Sequence, residues 1–109
     1  MKKVFAKFKY LPYRERGIQI NEDLIVTTIE ILNNSNNYIL PQNARNEIME
    51  KTPDGLDKRI KRKLRKNTRT ANIISDVLEN KGIVEVTYIK NPKTGRKIKA
   101  TRLLKEWRW

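Results

Sequence analysis

Four polar side chains in one short stretch of the sequence carry groups that can recognise the edges of nucleic-acid bases. They are Arg69, Thr70, Asn72 and Ser75. A guanidinium forms two parallel hydrogen bonds with guanine, and a carboxamide does the same with adenine, while a hydroxyl binds bases or phosphates. Base recognition requires these side chains to project from one exposed face, so a regular element must hold them.

Positively charged side chains lie on both sides of this stretch. Seven of the eleven residues in LDKRIKRKLRK, residues 56–66, are Lys or Arg, and residues 90–99 are again rich in cations. Such groups bind phosphates and position a protein on nucleic acid without reading its sequence. The candidate backbone contacts are Lys58, Arg59, Arg62, Lys63, Arg65 and Lys66 before the stretch, and Lys90, Lys93, Arg96, Lys97 and Lys99 after it.

The net charge of +13 is unevenly distributed along the 109 residues. Residues 1–20 carry six cations and one acid, whereas residues 21–55 carry two cations and six acids. Residues 56–109 carry seventeen cations and five acids. A chain that is acidic in the middle and strongly basic toward one end is typical of proteins that bind a polyanion on one side.

Catalytic chemistry has little support in the sequence. The chain contains no cysteine and no histidine, which removes disulfides, thiolate metal sites and the commonest general base. Asp54 and the later run Glu79-Asn80-Lys81 are similar to the acid-and-lysine spacing of restriction-type nucleases, but that run closes a predicted helix and does not lie on a strand. We therefore expect neither an enzyme nor a cofactor nor a bound metal.

The elements that must carry the candidate side chains are helices and a hairpin. Thr68 can cap a helix whose apolar residues recur at three and four positions, and Gly82 suits the left-handed residue at its end. Leu56, Ile60 and Leu64 form one narrow apolar stripe, which predicts a further helix with a wide cationic face. The predicted helices cover residues 22–33, 41–51, 56–66 and 68–81, a short strand covers 38–40, and the strands of a hairpin cover 83–90 and 96–104.

Helix, glycine, strand, basic turn and strand thus follow one another from Asn67 to Leu104. In this order, and in two motifs, the chain resembles the winged helix-turn-helix family, in particular prokaryotic regulators of the MarR, ArsR and PadR type. The motifs are the run Leu78-Glu79-Asn80-Lys81-Gly82-Ile83-Val84 at the end of the recognition helix and Gly95-Arg96 in the turn of the wing. The resemblance covers roughly residues 21–104 and implies an α+β domain with four helices and a C-terminal two-stranded β-wing.

The same resemblance implies a transcriptional regulator that acts as a homodimer on specific double-stranded DNA, with no small-molecule effector evident. A plasmid partition or viral architectural protein that coats or bridges DNA is the alternative, and RNA binding is a less favoured one because backbone neutralisation works on any polyanion. Either of the helices at 56–66 and 68–81 could enter the major groove. No apolar run approaches the ~20 residues of a membrane span, so we expect a cytoplasmic, nucleoid-associated protein without membrane contact.

Residues 1–20 are predicted to form a basic arm ahead of the domain at 21–109. Aromatic residues alternate with lysines in this arm, and two tryptophans end the chain. These rings are candidates for a dimer interface, with the alternative that they complete the core of a small domain. The candidate interface residues are Phe5, Phe8, Tyr10, Trp107 and Trp109.

Overall fold

The computed structural model describes residues 2–43, 55–66, 68–91 and 94–109. Within these ranges the chain has an α+β fold with four α-helices, one three-stranded antiparallel sheet and one two-stranded antiparallel sheet. None of the helices in these ranges is long and apolar enough to cross a membrane. The helices are α1 (Lys2–Phe5), α2 (Glu22–Asn33), α3 (Leu56–Leu64) and α4 (Ala71–Asn80), and the strands are β1 (Tyr13–Glu15), β2 (Ile18–Ile20), β3 (Ile39–Pro41), β4 (Val84–Lys90) and β5 (Lys97–Leu103).

The central helix α2 has the bounds that the sequence predicted. Asn21 caps it, since the Asn21 Oδ1 accepts a hydrogen bond of 2.9 Å from the amide of Leu24. Acidic side chains in its first turn favour the positive end of the helix dipole. Its apolar stripe has no exposed surface and forms the middle of the core: Leu24, Ile25, Ile29 and Leu32.

The three-stranded sheet has the order β3-β5-β4, so the short strand β3 pairs with the last strand of the β4–β5 hairpin. The predicted short strand is confirmed, but Pro41 ends β3 and does not begin a helix. Proline is tolerated there because β3 is an edge strand, where a missing N–H breaks no ladder. Gln42 and Asn43 are not helical either, and the remainder of the helix predicted at 41–51, residues 44–51, lies outside the described residues.

Helices α3 and α4 are shorter than predicted at their ends. α3 stops at Leu64 because Arg65 takes a left-handed conformation with φ 52°. α4 begins at Ala71, and its N-cap is Thr70 instead of the predicted Thr68. Gly82, with φ +72°, occupies the predicted C′ position, and the amides of Gly82 and Ile83 bind the carbonyls of Glu79 and Leu78. These two bonds form the glycine-dependent C-terminal motif that turns a helix into a following strand.

The N-terminal segment folds back onto the domain. Two of its side chains from around α1, Val4 and Phe8, and two from β2, Ile18 and Ile20, belong to the same buried cluster as α2 and α4. The sequence left two interpretations of the N-terminal aromatic residues open, a dimer interface and completion of the core. Phe8 is only 8% exposed, so it completes the core.

Candidate nucleic-acid interface

A chain of backbone and carboxylate hydrogen bonds joins the three elements that carry the candidate residues. The carbonyl of Lys99 on β5 accepts from the amide of Gln42 at 2.9 Å, and the carbonyl of Gln42 accepts from the amide of Asp57 at 3.0 Å. The Asp57 Oδ1 then accepts from the amides of Thr70 and Ala71, each at 2.8 Å. The hairpin, the start of α3 and the start of α4 therefore meet at one junction.

Asp57 is the centre of this junction. Its side chain is almost fully buried, and its second oxygen lies 2.8 Å from the ammonium of Lys61 one helical turn later. The carboxylate satisfies two backbone donors of α4 that have no partner inside that helix. It also places a negative charge at the positive ends of both α3 and α4. Asp57 thus fixes the N-terminus of α4 against α3.

Helix α3 and the two residues after it expose half of the six predicted phosphate contacts. Only Leu56, Asp57 and Ile60 are buried, in agreement with the narrow stripe seen in the sequence. Of the other six residues of the helix, five are Lys or Arg, and the sixth, Leu64, packs against the core. Arg62, Lys63 and Arg65 are exposed, and Lys58, Arg59 and Lys66 are half-buried.

The end of the β4–β5 hairpin supplies a second group of cations. Lys90 and Lys97 face each other across the two strands, an arrangement of like charges that is unfavourable without an anion nearby. Gly95, with φ +73°, forms the turn between the strands, and its amide binds the carbonyl of Asn91 at 2.8 Å. Lys90, Arg96, Lys97 and Lys99 are exposed, whereas Lys93 lies outside the described residues.

The four candidate base contacts do not share one exposed face. Arg69 is exposed directly before α4, but Thr70 and Ser75 have no exposed surface, which corrects their assignment as base contacts. Ser75 faces the sheet, where its hydroxyl lies 2.6 Å from the hydroxyl of Thr101. The Thr101 hydroxyl also accepts from the Gln42 amide at 3.1 Å. Helical spacing predicted that Ser75 faces outward, but its side chain belongs to a polar network inside the domain.

Asn72 is the remaining base-reading candidate on α4. It is half-buried, and its Oδ1 is enclosed without a hydrogen-bond partner among the described residues. A two-bond contact with adenine uses both the oxygen and the amide nitrogen, so the Asn72 side chain must rotate to make it. One turn further along, Asp76 pairs with Arg16 of the β1–β2 turn at 2.7 Å. The N-terminal segment therefore occupies part of the outward side of α4.

The five candidate interface aromatics divide into two groups. Phe8 is buried, and Phe5 and Trp107 are half-buried against the core. The Trp107 Nε1 donates a hydrogen bond of 3.1 Å to the carbonyl of Gly82, so this ring covers the end of α4. Tyr10 and Trp109 are 80% and 63% exposed. Only these two rings remain fully available to another molecule.

Sequence reasoning missed two residues of this surface. Asp57 is the only acid in residues 56–66 and lies 14 residues before the start of α4, so its capping role depends on tertiary structure. Tyr88 is 60% exposed on β4, directly opposite Lys99 and on the same face as Lys90 two positions later. The sequence did contain a signal for this position, because Val84, Val86, Tyr88 and Lys90 alternate along the strand and so share one face of the sheet. On that face the apolar residues come first, and Tyr88 lies between them and the exposed lysine.

The run Glu79-Asn80-Lys81, which is similar to part of a nuclease pattern, makes a contact that holds the fold together. The Glu79 carboxylate accepts a hydrogen bond of 2.7 Å from the amide of Val86 and so links the end of α4 to β4. Asp54 lies outside the described residues. Within the described part of the chain, no group of three or more acidic side chains gathers into a possible metal site.

Comparison of the chain with protein-family models, curated proteins and solved structures gives no significant match. The function is therefore argued from the geometry of this surface.

Proposed function

We propose that this chain binds double-stranded DNA as a winged helix-turn-helix protein. The junction around Asp57 carries the proposal, because it gathers the start of α3, the start of α4 and the stem of the hairpin into one surface. Exposed cations lie on two of the elements that meet at this junction, α3 and the hairpin. The order of elements and the pairing of β3 with β5 are also those of a winged helix, with β4 and β5 as the wing.

The side chains divide into two roles in this proposal. Exposed cations of α3 and the wing bind phosphates on either side of a groove, which gives strong and salt-dependent affinity. Base recognition falls to Arg69 and Asn72 at the start of α4, where a recognition helix meets the bases. Fewer residues are available to contact bases than the sequence predicted, because Thr70 and Ser75 are buried.

The proposed biological role is that of a sequence-specific transcriptional regulator acting as a homodimer. The exposed ring of Trp109 is available to a second subunit, because an indole offers both an apolar face and a hydrogen-bond donor. One observation favours the architectural alternative, in which the protein coats or bridges DNA. Six of the ten residues of α4 are buried, so few side chains are left to distinguish one site from another.

DNA footprinting on a library of duplexes, combined with light scattering of the complexes, tests this proposal. A regulator protects a defined sequence as two half-sites and has the mass of a dimer. An architectural protein protects all sequences with similar affinity and adds subunits as its concentration rises. Equal affinity for duplex RNA and duplex DNA, or no binding to duplex DNA at low salt, contradicts the proposal.

A further inference from the structure

A cleft of about 430 Å³ lies at the opposite end of α4 from the proposed DNA surface. Its walls come from the N-terminal segment and from Lys81, the residue that caps the C-terminus of α4. The ten residues of α4 separate it from Arg69 by about 15 Å along the helix axis. The lining residues are Lys7, Phe8, Lys9, Tyr10, Tyr13 and Lys81.

The composition of the lining is three aromatic rings and three lysines. None of the described residues that line the cleft is acidic, so its charge is uncompensated inside the cleft. Its volume is within the range of ~300–1,000 Å³ that small-molecule sites have. Aromatic faces bind flat aromatic rings, and lysine ammonium groups bind phosphate as point charges.

Aromatic contacts already hold two of the three lysines in place. The Lys81 ammonium lies 5.4 Å from the centre of the Phe8 ring, which forms the buried wall of the cleft. The Lys7 ammonium lies 5.4 Å from the centre of the Trp107 ring, outside the lining. These cation–π contacts restrict long, flexible side chains before any ligand binds, which lowers the entropy lost on binding.

The two tyrosines differ in exposure and supply different contacts. Tyr10 stands at the rim with 80% of its surface exposed and can close over a flat ring. Tyr13 is half-buried, and desolvation, with a smaller effect from Glu15, raises the pKa of its phenol above the ordinary value of 10.0. Tyr13 therefore stays neutral at physiological pH and does not repel an anion.

From this lining we propose that the cleft binds a nucleotide, with its base against Tyr10 and Tyr13 and its phosphate between Lys9 and Lys81. An aliphatic anion would leave the faces of the two tyrosines without a partner, and a neutral aromatic molecule would leave the lysines without an anion. A phosphorylated base uses both kinds of group. Such a nucleotide can come from solution or from an unpaired strand of nucleic acid, and both sources present the same chemistry.

Isothermal titration of the full chain with adenosine 5′-monophosphate tests this site, with adenosine and inorganic phosphate as fragments. We expect saturable binding of the nucleotide at one site per chain, at least tenfold tighter than either fragment. Tyr10→Ala and Lys9→Gln should each weaken it fivefold or more. The matched control is Lys105→Gln, which removes an exposed lysine outside the cleft and should leave the affinity unchanged.

A short single-stranded oligoadenylate distinguishes the two sources. Tighter binding of the oligonucleotide than of the mononucleotide, lost in the same two cleft variants, identifies a strand as the source. Equal binding identifies the free nucleotide. The proposal is overturned if neither probe binds saturably, or if the cleft and control variants weaken binding equally. The affinity of the cleft variants for duplex DNA is measured in parallel. If the DNA proposal is wrong, duplex binding fails, whereas an error about the nucleotide site leaves duplex binding unchanged.

Discussion

Helices α3 and α4 were both predicted as amphipathic helices that contact nucleic acid, and the structure uses them in opposite ways. α3 buries only Leu56, Asp57 and Ile60, and five of its other six residues are Lys or Arg, of which Arg62 and Lys63 are exposed. α4 buries six residues on several sides: Ala71, Ile73, Ile74, Ser75, Val77 and Leu78. The helix with the stronger charge lies on the surface, and the helix with the base-reading side chains lies mainly inside the domain.

The difference arises from what packs against each helix. α4 lies between the sheet, the other helices and the N-terminal segment, with Ser75 bonded to Thr101 on one side and Asp76 paired with Arg16 on another. α3 is held through its first turn and its single apolar stripe. A surface that binds DNA through α3 and the hairpin therefore has a broad area for phosphates and only a small area for bases.

Replacing Asp57 with alanine should destabilise the domain most. Two α4 amides would lose their acceptor and Lys61 its buried partner, which together should lower the free energy of unfolding by about 3 kcal/mol. Urea unfolding followed by circular dichroism measures the change. Asp76→Ala is the matched control, because its pair with Arg16 is almost half exposed and should contribute only ~0–1 kcal/mol. Equal losses in the two variants would show that the junction does not hold α4.

Alanine variants of Arg69 and Arg62 should separate base reading from phosphate binding. Arg69→Ala should cost ~1–3 kcal/mol on the preferred duplex and much less on random duplex, because it removes a contact with a base edge. Arg62→Ala should weaken both duplexes by similar factors and reduce the dependence of log affinity on log salt by ~0.9. Fluorescence anisotropy at several salt concentrations measures both quantities.

The opposite result would reassign the two helices. If Arg69→Ala weakens both duplexes equally while Arg62→Ala relaxes the sequence preference, α3 is the reading helix and α4 is a supporting core element. Asn72→Ala adds a second test on α4. Its Oδ1 is enclosed without a partner among the described residues, so its loss should reduce specificity less than the loss of Arg69 does.

Local patterns predicted the described elements from α2 onward, but not α1, β1 and β2 in the N-terminal segment. Asn21, Gly82 and the turn at Gly95 act through neighbours a few residues away, so the bounds of α2 and the hairpin could be predicted within a residue or two. The α+β class followed from these elements. The start of α4 was predicted less well, because its cap comes from Asp57 on another helix and not from Thr68.

The surface was harder to predict than the elements. Helical spacing gives the angle between Ser75 and Asn72 around the helix axis. It does not predict which side of the helix other elements bury. The N-terminal segment was predicted as an arm, and its return onto the core closes one side of α4 and creates the cleft at Lys81. Neither consequence has a local signal, because both depend on contacts between residues at least 60 positions apart.

The smallest expected effect on duplex binding concerns Tyr88, the exposed ring between the cations of the hairpin. It faces Lys99 across the strands and shares a face with Lys90, so the ring can pack against a sugar of the DNA backbone while the lysines bind the adjacent phosphates. Tyr88→Ala should weaken preferred and random duplexes alike by about threefold, or ~0.7 kcal/mol. Tyr88→Phe, which keeps the ring, should bind as the unmodified chain does.

Anisotropy titrations of these two variants beside Tyr10→Ala complete the test. Tyr10 is the more exposed tyrosine, but it belongs to the cleft at the other end of α4, so its loss should not change duplex affinity. If Tyr10→Ala weakens duplex binding and Tyr88→Ala does not, the DNA lies along the N-terminal segment. The cations of α3 and the hairpin would then be ordinary solvated surface.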